Sequence, residues 1–311
     1  MQQFLQQIIN GLSVGSIYAL IAVGYTMVYG VLQLINFAHG DIFMVGGILT
    51  LLLARGMGFV TPDHTTHSWW AFGLCAAMAV IACGVLGFTI ERLAYRPLRN
   101  KPRINSLITA IGISLLLEFG GQHKAVFGPT PQPFPYEMLS GIKLPLFTVG
   151  GLVIPRMDAM ILGVTLLLML ALTWIVLKTK TGLALRAVSY RFDTAALMGI
   201  HIDRIISFTF VLGSTLAGAA GVLYAIKYPK VEPLMGLLPG VKAFVAAVFG
   251  GIGNIGGAVA GGLLLGLVET LVVGYLPNGS QYRDGVAFVV LIAILLVKPS
   301  GLLGKHVAEK V

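Results

Sequence analysis

Eight stretches of this 311-residue chain stay apolar over lengths that matter to a bilayer, near 5–30, 41–55, 69–91, 105–122, 158–177, 205–226, 242–275 and 285–298. A helix rises 1.5 Å per residue, so about 20 apolar residues cross the hydrocarbon core of a membrane. Within lipid every backbone amide must be satisfied by the segment itself, and apolar runs of this length do so as helices. The expectation is an all-α, polytopic membrane protein with about eight transmembrane helices, forming a single transmembrane unit over 1–311. Composition closes off the soluble alternative. The chain is 57% hydrophobic and 11% charged, where a soluble domain carries about 25% charged residues.

The formal net charge of +9 invites a nucleic-acid reading, but the basic residues cluster just outside the apolar runs. That is where cytoplasmic loops carry lysine and arginine, so the charge reports orientation and no nucleic-acid partner is expected. Arg92, Arg96, Arg99, Lys101 and Arg103 surround Glu91, and Lys178, Lys180, Arg186, Arg191 and Arg204 outnumber Asp193 and Asp203. Both loops belong in the cytoplasm. Two runs separate them, which places the Pro-rich connection from Gly128 to Pro135 outside. The tail with Lys298, Lys305 and Lys310 is again cytoplasmic, while the absence of Lys or Arg before Arg55 leaves the side of the N-terminus open. Met1-Gln-Gln-Phe-Leu-Gln-Gln has no basic n-region, so the first run reads as a retained helix and not a cleaved signal. Cys75 and Cys83 lie about 12 Å apart along one helix, too far to bridge each other, and no metal-ligand spacing is present.

Two runs are interrupted. Ile35-Asn36-Phe37-Ala38-His39-Gly40-Asp41 breaks the hydrophobic pattern near the N-terminus. Irregular backbone at membrane depth survives only where protein buries it or water reaches it, so Asn36, Phe37, His39 and Asp41 either line a pathway or tie a helix break together. Phe249 to Gly257, with Asn254 at its centre, follows an apolar stretch of about a dozen residues, too short to span. A re-entrant half-helix or a tight hairpin is expected near 250–257. Four-residue stripes of small residues recur at Gly11, Gly15 and Ala19, at Gly213, Ala217 and Gly221, at Gly257 and Gly261, and at Gly262 and Gly266. They either pack helices of this chain together or meet a second membrane subunit.

Ionisable residues inside the runs are few: Asp41, Glu118, Lys242 and Glu269. Each is costly there and therefore a candidate for function. Glu269 lies deepest, serving either as a proton relay or in a bond to a neighbouring helix. No phosphate loop is present, since Gly301-Leu-Leu-Gly304-Lys305 is too short and lacks the hydroxyl that would hold magnesium; no catalytic constellation appears, and no enzyme activity is expected. The hydrophilic segment 178–204 reads as a short surface helix stopped by Gly199, a handle for a motor that lies on another chain, with a helix lying on the lipid surface as its alternative.

Gly15-Ser-Ile-Tyr18-Ala-Leu-Ile-Ala-Val-Gly24-Tyr25-Thr26-Met-Val-Tyr29-Gly30 with Ile35 to Asp41, Glu91-Arg92-Leu-Ala-Tyr95-Arg96-Pro97-Leu-Arg99, the Gly182 to Gly199 loop, Lys242 to Gly257, and the ending Lys298-Pro299-Ser-Gly301-Leu-Leu-Gly304 together resemble bacterial branched-chain amino-acid ABC transporter permeases of the LivH type. The match runs in order along nearly the whole chain. It implies a multi-pass permease of the bacterial inner membrane that pairs with a homologous second permease, two cytoplasmic ATPase subunits that bind ATP and magnesium, and a periplasmic substrate-binding protein delivering leucine, isoleucine or valine. It makes the 182–199 helix a coupling helix, with Gly182, Arg186, Ala187, Arg191, Asp193, Ala195, Ala196 and Gly199 at the ATPase contact, the alanines allowing close approach. It sets Asn36, Phe37, His39 and Asp41 near the translocation route, to which Asn254 and Glu269 are joined as further candidates. Urea and short-chain amide permeases resemble the same family, and a stand-alone proton-coupled carrier is the alternative from another class.

Overall fold

A computed structural model describes residues 2–34, 36–61, 63–99, 101–298 and 301–304. Ile35, Pro299, Ser300, Lys305 and Lys310, all used in the sequence reading, lie outside the described residues.

Every apolar run is helical. The chain forms α1 (Gln2–Leu32), α2 (His39–Gly56), α3 (Trp69–Ile90), α4 (Arg103–Gln122), α5 (Arg156–Lys178), α6 (Lys180–Tyr190), α7 (Phe192–Leu197), α8 (Ile202–Lys227), α9 (Leu237–Gly250), α10 (Ile255–Tyr275) and α11 (Gly279–Val297). Helix α3 continues through a π-helical turn, Glu91–Tyr95, and a 3-10 turn, Arg96–Leu98. Among the described residues six helices are long and apolar enough to cross a membrane: α1, α3 with its extension, α4, α5, α8 and α10. The run at 242–275 is two helices, α9 and α10, and the runs at 41–55 and 285–298 are the shorter or more polar α2 and α11.

The little sheet present lies on one side. Strand β1 (Gln132–Pro133) pairs antiparallel with β4 (Lys230–Val231), and β2 (Pro145–Val149) with β3 (Leu152–Pro155). The Gln2 amide donates to the Gly150 carbonyl at 2.7 Å and the Gln6 amide to Val153 at 2.9 Å. The start of α1 therefore sits beside the Pro-rich connection, on the side that the charge pattern reads as outer. Arg55 to Gln132 and His67 to Glu137 fasten the α2–α3 loop to the same cap.

The core is built on glycine. A Cβ placed on Gly15 would collide with the backbone of Leu263, on Gly262 with Ala19, and on Gly266 with Gly15, so α1 and α10 touch backbone to backbone. Gly221 meets the Phe43 carbonyl, Gly46 meets Gly218, and Gly261 meets Ala246. The four stripes read from the sequence thus all face helices of this chain. Water supplies little drive between apolar helices in lipid, so close van der Waals contact is what holds them. Cys75 and Cys83 are buried and unbridged.

Gly15→Leu is expected to lower the unfolding temperature of the purified protein in detergent by several degrees, in line with about 1–3 kcal/mol for overpacking a close contact. Gly112→Leu, where nothing lies within 4 Å, should leave it unchanged. Equal unfolding temperatures for the two variants would remove the glycine seam as the basis of the α1–α10 contact.

Candidate functional site

Two helices start in the interior of the bundle. Helix α8 runs outward from the cytoplasmic loop, and Gly213 stands about midway along it; the His39 ring lies against Gly24 and Gly213 at this level. Helix α2 therefore begins about halfway across. Helix α9 does the same, because a Cβ on Gly236 would strike the Gly40 carbonyl and one on Gly240 would lie 3.0 Å from the Gly40 Cα. The starts of α2 and α9 touch through these three glycines. With 14 residues, α9 extends only about 21 Å, the half-helix expected from the sequence.

The residues of the first interruption gather here. Asn36 is buried and its Oδ1 accepts from the Tyr95 hydroxyl at 2.8 Å. His39 is buried beneath Tyr25, ring centroids 4.5 Å apart, and its Nε2 has no hydrogen-bond partner among the described residues. Asp41, in the first turn of α2, is buried with Oδ2 likewise unpartnered. A carboxylate in the first turn suits the positive end of the helix. Phe37 departs from this group, being 42% exposed.

Asn254 and Glu269 lie elsewhere. Gly251 and Gly253 take φ of +105° and +91° in the turn between α9 and α10. Asn254 caps α10, its Oδ1 accepting from the Gly257 N–H at 3.1 Å while its Nδ2 donates to the Leu303 carbonyl at 3.0 Å. Its side chain is occupied in holding the hairpin. Glu269 is buried, and Lys242 Nζ stands 3.1 Å from its Oε1, with Arg283 Nε bonded to the same oxygen. The Tyr18 hydroxyl donates to it at 3.3 Å. Lys242 also reaches Asp284 at 2.6 Å. Two acids and two bases thus balance, joining α1, α9, α10 and α11. Neither Arg283 nor Asp284 stood out in the sequence, because they fall at the edge of the last apolar run. Tyr18 and Tyr25 share one face of α1, seven residues or about 10 Å apart, so this cluster and the α2–α9 junction are neighbours.

The hydrophilic segment 178–204 is two helices rather than one. Arg191 is extended at φ −156°, ψ 118°, and separates α6 from α7. No Gly or Pro marks the break, whereas Gly199, at φ +80°, ends α7 as expected. Thr179 caps α6 by accepting from the Gly182 N–H at 3.0 Å, and Gly182 is pressed against the Ile175 and Val176 carbonyls. Leu185, Val188 and Ala195 face inward and are buried. The small size of Ala195 serves packing inside this chain, Ala187 is half-buried, and only Ala196 of the three alanines is exposed. Arg186, Arg191 and Asp193 point outward, and with them stand Tyr190, Leu197 and Met198 at 87%, 88% and 79% exposure. Those bulky outward residues were passed over. Their signal was the recurrence of Leu183, Tyr190 and Leu197 every seven residues in an otherwise polar loop.

No group of three or more metal-ligating side chains occurs among the described residues.

The model of the family described as branched-chain amino acid transport system / permease component matches residues 7–295. The high-affinity branched-chain amino acid transport system permease protein LivH of Salmonella typhimurium is 42% identical over 99% of this chain and 98% of its own length. BraD of Pseudomonas aeruginosa, described in the same words, is 41% identical over the same shares. A probable branched-chain amino acid transport permease protein, LivH of Methanocaldococcus jannaschii, is 26% identical over 93% of this chain and 89% of its own.

Glu269→Gln leaves Lys242 and Arg283 facing a neutral amide in a buried site and is expected to destabilise the protein by about 3–5 kcal/mol. Asp284→Asn, whose carboxylate is half-exposed, should cost less than about 1 kcal/mol. Thermal unfolding in detergent measures both. A Glu269→Gln protein as stable as the parent would show that this cluster does not hold the four helices together.

Proposed function

The chain belongs to the family of the permease component of branched-chain amino acid transport systems, and from that premise we propose that it is the membrane subunit of an ABC importer for leucine, isoleucine and valine. The observation that carries the reading is the end-to-end match, at 41–42% identity, to permeases described as serving high-affinity branched-chain amino acid transport. The wider family of ABC importers calls for partner components. In this reading they are a homologous second permease, two cytoplasmic ATPase subunits that hold ATP and magnesium, and a periplasmic binding protein, all around a single permease unit in the bacterial inner membrane.

The arrangement described above fits the task. Branched aliphatic amino acids are apolar apart from their ammonium and carboxylate groups. A passage for them needs few fixed charges and a means of meeting one carboxylate and one cation in transit. At the α2–α9 junction, closed here by Gly40, Gly236 and Gly240, separation of the two helix starts would uncover amide ends of positive character together with His39 and Asp41. Helix N-termini aimed at a central site are how transporters of several folds hold anionic groups. Since α6 and α7 link α5 to α8, movement of the ATPases against Tyr190, Leu197 and Met198 would shift α8, which touches α2 along Gly46 and Gly218. ATP and the binding protein would drive the cycle by favouring different states.

The test is ATP-dependent uptake of radiolabelled leucine by proteoliposomes holding the chain with its co-purifying subunits and excess binding protein, beside matched vesicles given urea. Leucine uptake that requires ATP is expected. In Leu197→Asp with Met198→Asp, uptake should fall at least about tenfold, as for loss of an interface anchor, while ATP hydrolysis by the partners continues. Transport by the purified chain without ATPases would overturn the ABC reading, and transport of urea alone would replace the substrate.

A further inference from the structure

A cavity of about 600 Å³ opens between the cytoplasmic ends of α3 and α8, with Phe88, Phe208 and Val211 at its floor and Arg92, Asp203 and Arg204 at its mouth. Its lining is sorted by depth. Helix α3 runs toward the cytoplasm, so Phe88 lies one turn deeper than Arg92. Helix α8 runs the other way, so Phe208 and Val211 lie about 6–10 Å deeper than Arg204. The floor is aromatic and aliphatic, and the rim is basic.

The rim is not neutralised from within. Asp203 is engaged by Arg96 and Arg99, and Glu91, fully buried, by Arg99 and by the Ser207 hydroxyl at 2.5 Å. Among the described residues no acid pairs with Arg92 or Arg204, and both are exposed. His201 sits at the start of α8, where no side chain caps the helix; the Asp203 carboxylate in that first turn is taken up by Arg96 and Arg99, so Arg92 and Arg204 keep the rim's free positive charge. Arginine forks match the geometry of a phosphodiester.

We propose that this cavity binds an anionic phospholipid of the cytoplasmic leaflet, its phosphate on Arg92 and Arg204, its proximal acyl chain along Phe88, Phe208 and Val211. The vertical order of charge and grease is that of a lipid at the cytoplasmic interface, where basic pockets between helices take acidic headgroups. A soluble anion would use the rim but has no need of the apolar floor. An acidic protein surface would use exposed arginines but not a recess of this volume, which is within the range of small-molecule sites. The ligand would tie the ends of α3 and α8 together next to α6 and α7, independently of which solute is transported.

The experiment compares spin-labelled phosphatidylglycerol with spin-labelled phosphatidylcholine as probes in phosphatidylcholine vesicles containing the transporter with its co-purifying subunits. The parent is expected to immobilise phosphatidylglycerol preferentially. Arg92→Gln with Arg204→Gln should lose that preference, by about fivefold for each arginine removed. The charge-matched Lys178→Gln with Lys180→Gln should keep it, and millimolar inorganic phosphate should not displace the lipid. A preference unchanged in the arginine variant would overturn the proposal. So would full displacement by phosphate, which would mark a soluble-anion pocket, or loss of the ATPase subunits with lipid preference intact, which would mark a protein contact.

Discussion

The starts of α2 and α9, set against one another in the middle of the bundle, impose the condition that the neighbouring elements meet. A helix start carries four amide donors without intrahelical partners, and hydrocarbon offers them nothing. Here Gly40, Gly236 and Gly240 let the two backbones approach, Pro239 removes one donor from the first turn of α9, and Asp41 places a carboxylate in the first turn of α2. Asn36, held by Tyr95, fixes the chain that enters α2, and the His39 N–H closes a turn onto the Asn36 carbonyl at 3.1 Å. Helices α1, α8 and α10 pack around this junction, whose residues are buried. Their glycine seams are what bring them close enough to do so.

A second consequence concerns charge. An interior that must pass a zwitterion has to offer polarity without leaving a fixed ion unpaired. Lys242, Glu269, Arg283 and Asp284 meet that condition by neutralising one another across three helices, beside Tyr18 on α1. Buried pairs of this kind contribute little net stability compared with an apolar core, yet removing one member is costly. Their effect is to specify which face of α9 meets α10 and α11. In this 14-residue helix they act together with the backbone contacts that Gly236, Gly240 and Ala246 make with α2 and α10.

The fold class was legible because length and apolarity alone decide whether a segment can cross a bilayer, and the runs that became α1, α3, α4, α5 and α8 needed nothing else. The interruptions at 36–41 and 250–257 were legible for the same reason, since polar and glycine residues inside an apolar run leave few options. Pairing was not. Lys242 and Glu269 were visible as isolated charges, but their meeting across 27 positions of sequence depends on how α9 folds back against α10. The split at Arg191 was equally hidden, with no turn residue to announce it, and so was the inward direction of Ala195. Outward and inward faces of α6 and α7 follow from where α5 and α8 stand, which is a property of the packed bundle.

That packing also ties the end of α3 to the start of α8. Arg96 and Arg99 both reach Asp203, and Arg99 reaches Glu91. The Arg96 pair, with both side chains more than a third exposed, adds little by itself. The Glu91 carboxylate is fully buried, held by Arg99 of its own segment and by the Ser207 hydroxyl of α8, so separating α3 from α8 would remove its α8 partner and leave Asp203 without both arginines. The π-helical turn at Glu91–Tyr95 turns Glu91 toward α8 and Tyr95 toward Asn36. One local irregularity in α3 thus connects the start of α8 with the loop that positions the start of α2.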